Sequence, residues 1–116
     1  MDDREFEKLV GEAIDDLPKQ FAEKLNNVAV TVADSPSPFQ RWHAKIPPWG
    51  LLFGLYEGVP QTRRGIYYSA PPDKITIFKN AILRVSRTPE EIREKVRQVV
   101  IHEIGHHFGL SDAQLK

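Results

Sequence analysis

The stretch that decides the fold is TPEEIREKVRQVVIHEIGHHFGL, which spans Thr88–Leu110 in a chain of 116 residues. It opens with a capping box, Thr88-Pro-Glu-Glu91, in which proline takes the first helical position. Apolar residues then recur at helical spacing, at Ile92, Val96, Val99, Val100 and Ile104. Gly109 stands where a glycine commonly ends a helix. The stretch therefore predicts a long helix with one buried side.

Three short segments before this helix have the character of strands. Residues 27–33 (NVAVTVA) and 74–78 (KITIF) alternate and are rich in β-branched residues, and residues 51–56 (LLFGLY) form an apolar run beside glycine. Residues 34–50 hold four of the nine prolines and both tryptophans, which predicts a long loop. Either this loop covers a cleft as a lid, or Trp42 and Trp49 pack on the sheet.

The first part of the chain predicts helix as well. Apolar residues recur at steps of three and four between Asp3 and Leu25, and Pro18 interrupts them. Proline fits the first turn of a helix better than its interior, so we expect two short helices or one helix kinked at Pro18. The order helix, strand, strand, strand, helix indicates an α+β fold with a small sheet. At this length, residues 1–116 are expected to form a single domain.

Composition excludes several function classes. The chain has 16 basic and 16 acidic residues and a formal net charge of zero, which argues against a nucleic-acid partner because phosphate attraction needs clustered Lys and Arg. It has no cysteine, so disulfides, thiolate nucleophiles and iron–sulfur clusters are excluded. The acidic start, MDDREFEK, is unlike a secretory signal, and no apolar run approaches the length of a membrane span. We therefore expect a cytoplasmic protein with no membrane partner.

The chemistry-bearing motif lies inside the long predicted helix. His102, Glu103 and His106 form the pattern H-E-x-x-H. Residues four apart on a helix differ by about 40° in direction and about 6 Å in height, so two imidazoles at this spacing can reach one ion. Glu103 lies about 100° round from His102, where its carboxylate can reach a water on that ion. This geometry is typical of a zinc site with a separate general base.

A zinc site needs a third protein ligand, and Asp112 is the best candidate. It follows His102 by ten residues, with Gly109 between them. A continuing helix would carry residue 112 about 15 Å along the axis from residue 102. A glycine can adopt positive φ and turn the chain back, so we expect a helix break at Gly109 to bring the Asp112 carboxylate to the metal.

The segment His102–Asp112 resembles the H-E-x-x-H-x-x-G-x-x-[HD] signature of zincin metallopeptidases. Over about residues 25 to 116 the chain is similar to a family of small bacterial zincin-like domains, through residues 55–60 (LYEGVP), 75–78 (ITIF) and the Thr88–Asp112 region. The resemblance implies a minimal zincin, with a small mixed β-sheet packed against N-terminal helices and a C-terminal active-site helix. It implies Zn²⁺ as the cofactor, His102, His106 and Asp112 as ligands, Glu103 as catalytic base, and a peptide or protein substrate.

Two other functions remain open beside a zinc-dependent peptidase. One is a catalytically inactive domain that binds metal or peptide without cutting. Glu103 argues against it, because a purely structural zinc site has no need of a base. The other is a metal-dependent nuclease of the rRNA-maturation type, which has Gly and His where this chain has Glu103 and Asp112. Several side chains are conceivable oxyanion donors: Tyr56, Tyr67, Tyr68, His43 and Arg63.

Overall fold

The structure, a computed structural model, describes residues 1–58 and 72–108 of the chain. The described helices are α1 (Asp3–Asp15), α2 (Lys19–Lys24), α3 (Pro38–His43), α4 (Lys79–Val85) and α5 (Pro89–Phe108). The described strands are β1 (Val28–Ala33), β2 (Gly54–Glu57) and β3 (Asp73–Phe78). This confirms the predicted α+β class. The expected helix break at Gly109 lies outside the described residues.

The three described strands form one mixed sheet in the order β1-β3-β2. β1 runs parallel to β3, with Val30 opposite Ile75, whereas β2 runs antiparallel to it, with Tyr56 opposite Ile75. Side chains alternate across a strand, so Ile75 and Ile77 of β3 face the main core while Phe78 joins a smaller cluster with Leu55. The predicted small mixed sheet is therefore confirmed, and β2 is its outermost described strand beside α5.

The main core lies between the sheet and helices α1, α2 and α5. Helix α5 places one side in this core, and the residues predicted for that side are all buried: Ile92, Val96, Val99, Val100 and Ile104. Phe6 of α1 and Phe21 of α2 pack into the same cluster. No described helix combines the length and the apolar character that a membrane span would need.

The break between α1 and α2 follows from Pro18. α1 begins after Asp2, whose side chain accepts a hydrogen bond from the backbone N–H of Glu5 at 2.8 Å. Pro18 occupies the cap position before α2, where its missing N–H costs no helical hydrogen bond. The chain therefore forms two helices, the first of the two arrangements that the sequence allowed.

The prediction of an uninterrupted loop over residues 34–50 is wrong, because Pro38–His43 is helical. Ser37 and Gln40 form a reciprocal capping box, with the Gln40 N–H donating to Ser37 Oγ at 3.1 Å and the Ser37 N–H donating to Gln40 Oε1 at 2.9 Å. Pro38 takes a first-turn position, where proline starts a helix rather than breaking one. The structure also contains α4, which the sequence analysis did not predict.

Polar contacts hold residues 37–52, which we call the α3 segment, beside the sheet. One guanidinium nitrogen of Arg41, Nη2, donates to the backbone oxygens of Pro47, Pro48 and Gly50 at 2.7, 3.1 and 3.1 Å. Gln40 Nε2 donates to a carboxylate oxygen of Glu57 in β2 at 3.1 Å. These hydrogen bonds fold the segment on itself and tie its helix to the end of β2.

The tryptophans of the α3 segment point into solvent. Trp42 is 77% exposed and Trp49 is 84% exposed, and Phe39 beside Trp42 is 66% exposed. The expectation that both tryptophans pack on the sheet is therefore wrong. Smaller apolar side chains of the same segment, Ala44 and Leu52, pack against the cluster around Phe78 instead.

Candidate active site

A cleft of about 670 Å³ lies between helix α5, strand β2 and the α3 segment. Its apolar wall includes Ile46 and Leu52 of the α3 segment, and its polar wall comes from α5. Ligand sites commonly have volumes of about 300–1,000 Å³ and combine apolar walls with a few convergent polar groups. The cleft has both properties, and residues of the H-E-x-x-H motif line it.

The two imidazoles of the motif are neighbours on α5. The ring centroids of His102 and His106 are 4.2 Å apart with the ring planes tilted by 49°. Both side chains are exposed and both line the cleft. The structure thus brings together two of the three predicted metal ligands on one side of the helix, as the spacing of four residues predicted.

Glu103 is held against the sheet by a backbone donor. The N–H of Tyr56 in β2 donates to Glu103 Oε1 at 2.9 Å. The ladder register explains why this N–H is available to the helix. The Phe78 N–H donates to the Phe53 carbonyl, which fixes the alternation of the ladder. The backbone N–H and C=O groups of residues 53, 55 and 57 therefore point toward β3, whereas those of Tyr56 point away from it. The carboxylate is therefore fixed at the boundary between helix and strand.

Gly54 allows this close approach of helix and strand. A Cβ added to Gly54 would lie 2.5 Å from Val99 Cγ1 and 3.2 Å from the Thr76 carbonyl oxygen. A real Cβ cannot sit that close to a buried side chain without displacing it, so a glycine is required where β2 crosses α5. Val99 precedes His102 by about one helical turn, and the same contact therefore sets the distance between the motif and β2.

A second cluster anchors the end of α5 beside the motif. The His107 ring stacks on the Tyr56 ring, with centroids 3.9 Å apart and planes inclined by 16°. The Tyr56 hydroxyl donates to Asp73 Oδ2 at 2.8 Å, and His107 Nε2 lies 3.9 Å from the same oxygen. Tyr56 thus contacts the helix twice, through its backbone at Glu103 and through its ring at His107. From the sequence, Tyr56 was a candidate only as a hydrogen-bond donor to an oxyanion, and no residue pattern indicated either contact.

Other predicted site residues lie elsewhere or outside the described part. His43 stacks on Phe39 at a centroid distance of 6.1 Å and does not line the cleft. Asp112, Arg63, Tyr67 and Tyr68 lie outside the described residues. Within residues 1–58 and 72–108, no group of three or more His, Asp or Glu side chains is close enough to hold a metal ion. The described part therefore supplies two of the three predicted ligands and the predicted base.

Comparison with known proteins identifies the family. The model of the zincin-like metallopeptidase family matches residues 25–116. The chain belongs to the zincin-like metallopeptidases. This family match covers the motif helix α5, all three described strands and the α3 segment of this zincin-like chain.

A solved structure shares the fold of this zincin-like domain. It is that of a conserved hypothetical protein from Thermo thermophilus, which is 19% identical with a TM-score of 0.55. The alignment covers 90% of this chain and 91% of the other. At this identity the likeness concerns the fold alone. No curated protein matches the chain.

Proposed function

We propose that the protein is a zinc-dependent peptidase that hydrolyses peptide bonds in peptide or protein substrates. The observation that carries the proposal is the placement of His102 and His106 side by side, next to the backbone-held carboxylate of Glu103 in one cleft. The family match supports peptidase chemistry. The expectations of a single domain, a cytoplasmic location and no nucleic-acid partner stay predictions.

The residues present fit a zinc ion. Zinc in catalytic sites is bound by nitrogen and oxygen donors of three protein side chains. His102 and His106 are exposed to the cleft and lie four residues apart, with ring centroids 4.2 Å from each other. We assign them as ligands together with Asp112. Zinc supplies, when bound, the Lewis acidity that lowers the pKa of water and polarises a carbonyl group.

Glu103 is placed to move the proton. Its Oε1 accepts the Tyr56 N–H, while none of the described residues hydrogen-bonds to its Oε2. Oε2 is therefore the atom that takes a proton from the attacking water and later delivers it to the leaving amine. The Tyr56 N–H keeps the carboxylate from rotating away, so the base stays oriented toward the cleft while the proton moves.

The deciding test compares the zinc-loaded protein with Glu103→Gln and Glu103→Ala on a mixture of peptides, with products identified by mass spectrometry. We expect the parent to cleave peptides and both variants to cleave them at least about a hundredfold more slowly, because a general base has been removed. Both variants should retain zinc. Because the glutamine variant keeps an oxygen for the Tyr56 N–H, it separates the loss of the base from the loss of this contact. Equal cleavage by all three proteins would overturn the mechanism.

The ligand assignment has its own test. We expect His102→Ala, His106→Ala and Asp112→Ala each to lose bound zinc on dialysis, measured by metal analysis, because three-ligand sites depend on every ligand. His107→Ala is the matched control, since His107 adjoins the pair but stacks on Tyr56. Retained zinc in Asp112→Ala would remove Asp112 from the site.

A peptide-binding domain that does not cut is the alternative. The observation that favours it is the hydrogen bond from Tyr56 to Glu103, which gives the carboxylate a structural use without any catalysis. The same peptide mixture separates the two functions. Retention of peptides by zinc-loaded parent protein with no cleavage would establish the binding domain.

A further inference from the structure

One lysine lies among the described residues that line the cleft. Lys95 lines the cleft on α5, and it precedes His102 by seven residues. Two turns of helix return to nearly the same direction and advance by about 10 Å. Lys95 and His102 therefore share one side of α5, with the ammonium group toward one end of the cleft and the motif toward the other.

The Lys95 ammonium is held by an aromatic ring. Its Nζ lies 4.2 Å from the centroid of the Phe53 ring, on the opposite wall of the cleft. A cation over an aromatic face is attracted by the ring, and this contact leaves the hydrogens of the ammonium available to an acceptor. Lys95 is half-buried, and its contact with Phe53 spans the cleft.

The carboxylates nearest in sequence to Lys95 are engaged elsewhere. Glu91, one turn earlier, accepts hydrogen bonds from the Thr88 hydroxyl at 3.3 Å and from the Arg87 N–H at 3.4 Å. Glu94 accepts two hydrogen bonds from Arg97, at 2.9 and 3.1 Å. Arg97 lowers the pKa of Glu94, so this carboxylate stays ionised and paired. In the described part of the chain, no carboxylate lies within 4.0 Å of Lys95 Nζ.

The cleft therefore combines apolar walls with a positive charge that has no anionic partner among the described residues. Among the described residues that line the cleft, the only other Lys, Arg, Asp or Glu side chain is that of Glu103, at the motif. A peptide bound along α5 with its reacting bond beside His102 would reach Lys95 after about three extended residues, since the two residues lie about 10 Å apart along the helix and each extended residue advances about 3.4 Å. A carboxylate of the peptide at that point would form an ion pair with the Lys95 ammonium.

We propose that Lys95 selects peptides that carry a carboxylate about three residues from the bond that is cut. The carboxylate is either an Asp or Glu side chain or the free carboxyl end of the peptide, and both present the same chemistry. This inference rests on the proposed peptidase function, which supplies the position of the reacting bond. Lys95 is a specificity residue, because it binds the substrate at a distance from the reacting atoms.

The test uses a mixture of synthetic peptides of equal length, half with free and half with amidated carboxyl ends. Cleavage sites are identified by mass spectrometry for the zinc-loaded parent, Lys95→Gln, Lys95→Glu and the control Lys8→Gln. Lys8 is exposed on α1 and does not line the cleft. We expect the parent to favour an acidic residue over its amide about fivefold at one position about three residues away, the size of a partly exposed ion pair.

The variants separate charge selection from packing. Lys95→Gln should lose the preference and Lys95→Glu should reverse it toward Lys and Arg, with the change in KM rather than in kcat. Lys8→Gln should behave as the parent. A preference confined to peptides with free carboxyl ends would assign the terminal carboxylate as the ligand. For the parent, about 1 M salt should remove the preference without any mutation, because it shortens the screening length to about 3 Å.

A binding measurement keeps this inference distinct from the peptidase proposal. The same peptides are captured on immobilised Glu103→Gln protein with and without Lys95→Glu, and the retained sequences are compared. Acidic peptides should be enriched by the first protein and depleted by the second. Cleavage that depends on Glu103 but shows no acidic preference would overturn the role of Lys95 alone. Absence of cleavage would overturn the peptidase, and the retained sequences would then decide whether Lys95 selects carboxylates.

Discussion

The two walls of the cleft are built by different forces. Helix α5 is fixed by burial, since Val96, Val100 and Ile104 are fully enclosed in the main core. The α3 segment has no buried residue in its helix. It is held by the hydrogen bonds of Arg41 and Gln40 and by the partly buried Ala44 and Leu52, which pack against the cluster around Phe78. Burial of a large apolar side chain contributes about 1.5–3 kcal/mol, whereas a net hydrogen bond contributes about 0.5–1.5 kcal/mol.

This difference assigns separate tasks to the two walls. The α5 wall carries the motif. Its buried side chains cannot be made larger or smaller without a loss of stability, because protein cores are close-packed. The α3 wall depends on a few polar contacts and on side chains that are only partly buried, so changes there should alter the width of the cleft more than the stability of the domain. Substitutions on the two walls should accordingly be separable by measurements of unfolding and of substrate binding.

Truncation in the α5 wall should have the largest effect. Ile104→Ala removes a side chain with no exposed surface and is expected to lower the free energy of unfolding by about 2–5 kcal/mol, measured by denaturant titration. Trp49→Ala in the α3 segment is the matched control and should change it by about 0.5 kcal/mol or less, since Trp49 is 84% exposed. Similar losses in the two variants would contradict the comparison.

Crowding of the α5–β2 contact should come next. Gly54→Ala forces a Cβ against Val99 and is expected to cost about 1–3 kcal/mol of unfolding free energy and to lower peptide cleavage, because the helix must move away from Tyr56. Gly11→Ala is the control. Gly11 lies on the exposed side of α1 and its added Cβ meets nothing within 4 Å, so this variant should stabilise the protein by about 0.5–1 kcal/mol. A neutral Gly54→Ala would show that the close approach is unimportant.

Loosening of the α3 wall should affect dynamics and binding more than stability. Arg41→Met removes three hydrogen bonds to backbone oxygens, two of them exposed, and is expected to cost about 1 kcal/mol. Amide hydrogen exchange over residues 44–52 should accelerate, with the exchange of α5 unchanged. Arg41→Lys should give an intermediate result, because a single ammonium cannot match the guanidinium geometry. Unchanged exchange in both variants would mean that Arg41 does not hold the segment.

The smallest effect is expected on the exposed side of α5. Arg97 lowers the pKa of Glu94 below its usual value near 4.5. The pair therefore stabilises the folded protein above that pH, and its contribution is lost as the pH falls through the lowered value. Glu94→Gln should cost about 0.5 kcal/mol or less at neutral pH, measured by thermal unfolding, and nothing once the carboxyl is protonated in acid. A difference between the proteins that grows on acidification would reverse this assignment.

The sequence predicted the α5 wall because that wall follows from local rules. The threonine cap, the apolar spacing and the H-E-x-x-H motif all lie in one stretch. In the structure Thr88 caps the helix, Ile92 is buried and His102 lies beside His106. The same applies to the Pro18 break and to the strand character of β1 and β3. The ligand role of Asp112 stays a prediction, since it lies outside the described residues.

The α3 wall was missed because its signals conflict. The prolines at 36 and 38 indicated a loop, yet Ser37 and Gln40 are spaced as a capping box and Pro38 fits the first turn. The spacing of Ser37 and Gln40 was the sequence signal that could have predicted this helix. No sequence signal indicates the roles of Gly54 and of the Tyr56 N–H, because these roles depend on where two distant segments cross. A backbone donor in particular cannot be recognised from the sequence, because every residue except proline carries the same N–H group.

The hydrogen bond between Tyr56 and Glu103 also bears on self-association. β2 is one of the two edge strands of the described sheet, and an outward backbone N–H on an edge strand can pair with a strand of a second chain. Here that hydrogen is already occupied by a carboxylate, which also brings negative charge to the strand. Replacing Glu103 with alanine therefore leaves this edge N–H without its carboxylate partner, and an inactive Glu103→Ala protein should aggregate more readily than Glu103→Gln.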